Sequence, residues 1–357
     1  MKRIIVLLSM ILLLSACNSN KQSTVSPMKE HRGHAKVKGG VYLEKEHTQP
    51  KTNAPLAMDK EKFIKKMVSQ HGFNRQQLHD VLEQTNKLDW VINLMDKQAP
   101  KAGTSTVPNG AWIRYKNKFI TASNIAKGVD FWNQYQSELQ RAYKQYGVPP
   151  EIIVGIIGVE TGWGRVMGKT KIIDALSTLA FYYPRRSEYF SNELEDFLIM
   201  ARDEGVDPFD LTGSFAGAMG YGQFMPSAFR RFAVDFNSDG HVDLWDPVDA
   251  IGSVANYFKS HGWQRDKKVA VMADGQASQL ENGFHTKYSI ETLSKAGLKP
   301  QSSLDNYREV SLLRLDMGDR YQFWYGLPNF YVITRYNHSS HYAMAVWQLG
   351  QAVKNAR

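Results

Sequence analysis

Glu160 is the one carboxylate in the interior of an otherwise apolar stretch that runs from Pro149-Pro150-Glu151-Ile152 to Val159-Glu160-Thr161-Gly162-Trp163-Gly164. Two prolines suit a first helical turn and the closing glycines suit a stop, so the stretch predicts a helix of about three turns. Ile153, Ile156, Ile157 and Glu160 fall at i, i+3, i+4 and i+7, which puts the carboxyl on the apolar face. Desolvation there disfavours the ionised form and raises the pKa, as a proton donor near neutral pH requires. The position also suits a glutamate that turns to solvent or pairs with Arg165, and the helix alone does not choose between the two.

Two further stretches could do chemistry. Gly213-Ser214-Phe215-Ala216-Gly217-Ala218-Met219-Gly220-Tyr221-Gly222-Gln223 sets the polar Ser214, Tyr221 and Gln223 among glycines. Glycine lets backbone approach a ligand closely, which suits a sugar-binding wall, although a merely mobile loop has a similar composition. Asp235-Phe236-Asn237-Ser238-Asp239-Gly240-His241-Val242-Asp243-Leu244-Trp245-Asp246 follows the calcium loop of an EF-hand. Asp235, Asn237 and Asp239 offer oxygens at positions 1, 3 and 5, Gly240 makes the bend, and His241 offers a backbone carbonyl. Asp246 stands where a bidentate glutamate is usual, and its shorter side chain makes the closing ligand uncertain from the loop alone. By contrast, Gly164 to Thr170 imitates a phosphate loop but has three residues between its glycines where four are needed, and it follows a helix.

Gly158-Val159-Glu160-Thr161-Gly162-Trp163-Gly164 together with Gly217-Ala218-Met219-Gly220-Tyr221-Gly222-Gln223-Phe224-Met225-Pro226-Ser227 resembles the lysozyme-like lytic murein transglycosylases, nearest their membrane-bound B type. The likeness reaches from about Met58 to the C-terminal helix. It implies an α+β, mainly α fold, with a lysozyme-like core, a helical domain, a small β domain and one EF-hand-like calcium loop. It also implies cleavage of the β-1,4 bond between N-acetylmuramic acid and N-acetylglucosamine in peptidoglycan, with Glu160 as single acid and base and a 1,6-anhydromuramoyl product. Such an enzyme is a carbon–oxygen lyase.

The resemblance assigns Ser214 and Gln223 to the glycan wall beside the acid, and Arg185 and Arg186 to the substrate groove. Guanidinium forks match carboxylates well, though paired arginines also sit at ordinary solvated corners. Tyr257, Asn337 and Tyr342 become candidates to close the cleft, each of which also suits a core position. In the family the calcium loop is longer and a later aspartate closes it, which here matches Asp249 rather than Asp246. Calcium would then be structural, held by Asp235, Asn237, Asp239, His241 and Asp249. Whether Asp174, Glu188 or another carboxylate assists Glu160 is not legible from spacing. A hydrolytic muramidase and a non-catalytic, peptidoglycan-binding lipoprotein are the alternatives to a transglycosylase.

The elements that must hold these residues are mostly helical. Asp59 and Asn74 suit caps, Leu88 to Met95 predicts a third helix, and Ser123 opens what reads as one long helix to Tyr143. Helices are also expected over residues 174–183, 226–232, 247–259 and 343–353. Val269-Ala270-Val271, Leu312 to Leu315, Tyr321 to Tyr325 and Phe330 to Thr334 read as strands. No internal repeat is visible. The divisions expected are a signal peptide over 1–16, a lipidated cysteine and tether over 17–56, a helical domain over 57–147, and the catalytic core over 148–265 with its calcium loop at 235–249. A β domain over 266–328 and a C-terminal segment over 329–357 that returns to the core complete them.

Met1-Lys2-Arg3 followed by an apolar run from Ile4 to Leu14 reads as a secretory signal, too short to span a bilayer. Leu14-Ser15-Ala16-Cys17 has the form of a lipobox. Cys17 is the chain's only cysteine, so no intramolecular disulfide is possible and lipidation explains it better. Asn18 lacks the aspartate of inner-membrane retention, which points to the periplasmic face of the outer membrane. His31, His34 and His47 in the tether are irregularly spaced and read as solvated side chains. The formal charge is +9; loss of Lys2 and Arg3 with the signal lowers it by two. A secreted basic protein without a nucleic-acid motif suits the carboxylates of cell wall or anionic lipid better than nucleic acid.

Overall fold

The computed structural model describes residues 57–98 and 108–357. The signal segment, Cys17, the tether and its three histidines lie outside the described residues. Helices α1 (Lys60–His71) and α2 (Arg75–Glu83) start where the side chains of Asp59 and Asn74 accept from Lys62 N and Gln77 N, each at 3.0 Å. These caps satisfy helix donors that have no carbonyl partner. Helix α3 (Asp89–Gln98) follows, then the short α4 (Ala111–Lys116).

The long helix expected from Ser123 is two helices, α5 (Ala122–Gln134) and α6 (Gln136–Tyr146). Thr121 is the cap, and the break falls at Tyr135, whose φ of −113° and ψ of 32° leave the helical region. No proline or glycine marks this break. The Tyr135 ring stays against Phe131 at 4.9 Å, so the apolar spacing continues across it.

Helix α7 (Pro150–Thr161) is the centre of the molecule. Ile152, Ile153, Val154, Ile156 and Ile157 are each at most 1% exposed, so the helix is buried on every side rather than on one face. Its glycines explain how. A Cβ on Gly155 would lie 2.3 Å from Val346 O, and one on Gly350 would lie 2.0 Å from Glu151 O, so α7 and the last helix touch backbone to backbone. Around this pair lie α8 (Ile172–Tyr182), α9 (Ser187–Asp203), α10 (Pro226–Phe232) and α11 (Pro247–Ser260). Two-residue strands β1 (Thr170–Lys171) and β2 (Thr212–Gly213) pair antiparallel and tie the turn after α7 to the glycine-rich loop.

The sheet contains β3 (Ala270–Asp274), β4 (Tyr288–Ser289), β5 (Lys299–Pro300), β6 (Glu309–Asp316) and β7 (Tyr321–Gly326), antiparallel in the order β4-β6-β7-β3-β5. Helix α12 (Ile290–Lys295) packs with it. Alternation divides its side chains between two cores. Leu312, Phe323 and Tyr325 face a small core with Leu293 and Leu298, while Leu313, Leu315 and Trp324 join the main core.

The strand expected at Phe330 to Thr334 is instead helix α13 (Pro328–Tyr336). Its β-branched run read as extended, but Pro328 occupies the first helical turn and Phe330, Ile333 and Thr334 are buried at helical spacing. Helix α14 (Ser340–Asn355) closes the fold, with Ser339 Oγ accepting from Tyr342 N at 3.2 Å.

Candidate active site

Glu160 lies in the last turn of α7, where the helix stops abruptly. Gly162 takes the left-handed conformation at φ 58°, and its N–H and the next return to Gly158 O and Ile157 O. Trp163 is also left-handed at φ 59°, an unusual geometry for a bulky side chain. Its indole is fixed by a 3.1 Å bond to Val154 O and by the space that Gly128 and Gly158 leave for its ring. Thr161 Oγ1 donates to Tyr221 O at 3.0 Å and accepts from Gly164 N at 3.0 Å, joining the helix end to the glycine-rich loop. The acid thus stands on a helix terminus tied down on two sides.

Three tyrosines from three elements interact with its carboxyl. Tyr342, in the first turn of α14, donates its hydroxyl to Glu160 Oε1. Tyr336, at the end of α13, is fixed by a 2.5 Å bond from its hydroxyl to Gly222 O, and Tyr115 comes from α4; both interact electrostatically with Glu160. Burial pushes the Glu160 carboxyl up from 4.5 to about 7, while the Tyr342 hydrogen bond pulls it down. No carboxylate contributes to that shift. Burial first, and then Glu160, raise all three phenols, which keeps them as neutral donors at neutral pH. The residue itself retains partial contact with solvent. A carboxylic acid poised to give or take a proton near neutrality, reachable from outside, is what this arrangement provides.

Tyr336 also lines a cavity of about 270 Å³, together with Tyr189, Gln223, Arg231, Tyr257 and His261. Tyr257 donates to Arg335 O at 2.7 Å, stacks on His261 at 4.0 Å and meets Tyr336 edge-on at 4.8 Å. Gln223, at φ 53°, donates to Met167 O at 3.1 Å and Gly220 O at 2.9 Å. Ser214 Oγ accepts from Ala218 N at 2.9 Å and Ala216 N at 3.3 Å, so both polar residues shape the glycine-rich loop. Arg186 stacks over Tyr189 with 4.3 Å to the ring centroid, at the cavity's edge, whereas Arg185 faces Asp96 at 3.3 Å. Asn337, half-buried just beyond α13, precedes the cap of α14, and its carbonyl accepts from Ser339 N at 2.7 Å. Asp174, considered as an assisting acid, accepts from Asn86 N at 2.9 Å, and Glu188 stands in the first turn of α9.

Tyr115 and Tyr336 escaped the sequence. Tyr336 adjoins Asn337 in the return segment, which was a usable signal. Tyr115 sits in a six-residue helix after a loop and carried none.

The acidic loop after α10 is wrapped on its own side chains. Asp235 accepts from Ser238, Asp239 and Gly240 N, Asn237 Oδ1 from Asp239 N, and Asp239 Oδ1 from His241 N. Asp249 is fully buried and accepts from Phe236, Asn237 and Asp243 N at 2.7 to 3.0 Å, which closes the loop at its far end. Asp246 caps α11 by accepting from Val248 and Asp249 N. Asp235, Asn237 and Asp239 bring hard oxygen donors of the kind calcium takes, here accepting from the loop's own backbone. Among the described residues, no cluster of three or more acidic, histidine or cysteine side chains is already arranged to hold a metal ion. No described helix is long and apolar enough to cross a membrane.

A family profile described as the Transglycosylase SLT domain matches residues 56–351. The chain is 60% identical to membrane-bound lytic murein transglycosylase B of Escherichia coli, over 100% of this chain and 99% of that protein. An E. coli lytic transglycosylase solved in complex with bulgecin A is 65% identical with a TM-score of 0.80, covering 87% of this chain and 99% of that one. A structure of the E. coli enzyme in complex with calcium has 64% identity, the same TM-score and the same coverage.

Proposed function

This chain belongs to the SLT transglycosylase family, and on that premise we propose how it cleaves its substrate, with Glu160 as the only acid and base. It is a lytic transglycosylase acting on peptidoglycan. The observation that carries the mechanism is the Glu160 carboxyl, raised to about 7 among three phenols with no carboxylate contributing. Protonated Glu160 gives its proton to the glycosidic oxygen as the bond to C1 of the muramoyl residue breaks, the bonding pair leaving with that oxygen. The resulting carboxylate takes the proton of the muramoyl C6 hydroxyl as O6 attacks C1. Water is not consumed, and the product ends in a 1,6-anhydro ring. An intramolecular nucleophile is already held close, so the second carboxylate that glycoside hydrolases use to activate water is not needed. Tyr342 donates to the carboxylate formed halfway through.

The glycan runs past Glu160 and through the cavity that Tyr336 lines. Ser214 and Gln223 hold the wall, and Tyr257, Asn337 and Tyr342 close the cleft. Arg186 and Arg185 stand toward the peptide-bearing side, where guanidinium can meet carboxylate. Calcium, held by Asp235, Asn237, Asp239, the His241 carbonyl and Asp249, would clip the loop between α10 and α11 and take no part in proton transfer. Lipid on Cys17, with residues 17–56 as tether, would attach the catalytic domain to the periplasmic face of the outer membrane.

Mass spectrometry of fragments released from purified peptidoglycan tests the mechanism. Fragments one water lighter than hydrolysis products support it. Reducing ends would show a water nucleophile and sink it.

A further inference from the structure

Helix α4 carries Tyr115 to the acid, yet it is only six residues long and no side chain of its own caps its start; Gly110, at φ 76°, stands there instead. Its first donors are satisfied from far along the chain. Asp316, the last residue of β6, accepts from Gly110 N through Oδ1 and from Asn109 N through Oδ2, both at 2.8 Å, and from Gly318 N at 2.9 Å. Burial alone would raise the Asp316 carboxyl, but backbone donors from Asn109, Gly110, Gly318 and Ala111 hold it down at about 2. These donors therefore favour its carboxylate form. From α4 itself, the Trp112 and Tyr115 rings pack on His341 at 5.5 and 5.6 Å, and His341 immediately precedes Tyr342, the donor to Glu160. Burial lowers the His341 pKa and Asp316 opposes that, which places the carboxylate and the imidazole in one electrostatic neighbourhood.

We propose that Asp316 is a positioning residue for catalysis, clamping the start of α4 so that Tyr115 keeps its place on His341, next to the Tyr342 that donates to Glu160, and helps to hold water off that carboxyl. The sheet thereby acts on the reaction without touching substrate. This rests on Glu160 being the reacting acid. The titratable groups facing Glu160 are Tyr115 from α4, Tyr336 from α13 and Tyr342 from α14, and the group facing Asp316 is His341.

The test is the carboxyl titration of Glu160, followed by ¹³C NMR in the whole protein, which reads its pKa whether or not cleavage follows the proposed course. In Asp316→Asn the titration should move down by about one unit as water reaches the acid, and the basic limb of kcat/KM should move with it. In a Tyr115→Ala background the same substitution should add nothing further. Should Asp316→Asn fail to fold, Gly110→Ala replaces it: the methyl finds room, with Arg114 Nη1 the nearest atom at 3.4 Å, but φ 76° is strained and the clamp should loosen. An unmoved titration, or equal shifts with and without Tyr115, would overturn the proposal. Loss of melting temperature with an unmoved titration would leave Asp316 as a structural residue only.

Discussion

The hydroxyl of Tyr342, one turn into α14, donates to Glu160 Oε1 in the last turn of α7, across 182 residues of sequence. Because α7 and α14 meet through glycine backbones, the two helices that carry these side chains are held at close approach. Proton affinity at the acid is thus set by the packing of the fold's centre.

Activity should fall as pH rises through about 7, because the general acid must enter protonated. Tyr342→Phe removes the hydrogen bond that lowers the Glu160 pKa, so the basic limb of kcat/KM should move to higher pH while the rate falls roughly tenfold or more. A limb that stays in place would mean that this bond does not tune the acid.

Glu160→Gln should reduce product release by about a thousandfold or more while the protein still sediments with peptidoglycan. A stability change should accompany it. The native pKa of Glu160 is raised, so its contribution to stability is fully present below 4.5, its unfolded value, and is lost as pH rises through about 7. The variant should therefore melt at a higher temperature than the parent above pH 7 and near the same temperature below pH 4.5. Calorimetry at the two pH values checks this.

Gly350→Ala should be among the most damaging single substitutions. The new methyl would sit 2.0 Å from Glu151 O, and the obstacle is backbone that cannot rotate away. Separating α7 from α14 costs at least about 1–3 kcal/mol, and the melting temperature should drop by roughly 5 °C or more.

Chelation of calcium should lower the melting temperature by several degrees, roughly as expected when a ligand of the native state is withdrawn, and leave the basic limb near pH 7 unmoved. Asp249→Asn should cost stability even without metal, since its carboxylate accepts three backbone donors. An equal melting temperature with and without chelator would argue against the loop as a calcium site.

Local chemistry was legible in the sequence wherever it depends on neighbours in the chain. Asp59 and Asn74 cap their helices because a short polar side chain reaches three residues ahead, and the apolar run with its glycines marked α7 and placed Glu160 near its end. The alternating strands from Leu312 to Tyr325 were readable for the same reason. Phe330 to Thr334 was misread because a short β-branched run fits strand and helix alike, and burial against the core decided for helix. The break at Tyr135 left no trace in residue type.

What the sequence alone determined was therefore the family, the place of Glu160 near the end of its helix and the course of the acidic loop, each written in a contiguous motif. Only the tertiary structure decided what surrounds the acid. Tyr115, Tyr336 and Tyr342 come from three separate elements, and desolvation of Glu160 exists only once those elements pack together. A residue's type is local, but its pKa belongs to its surroundings.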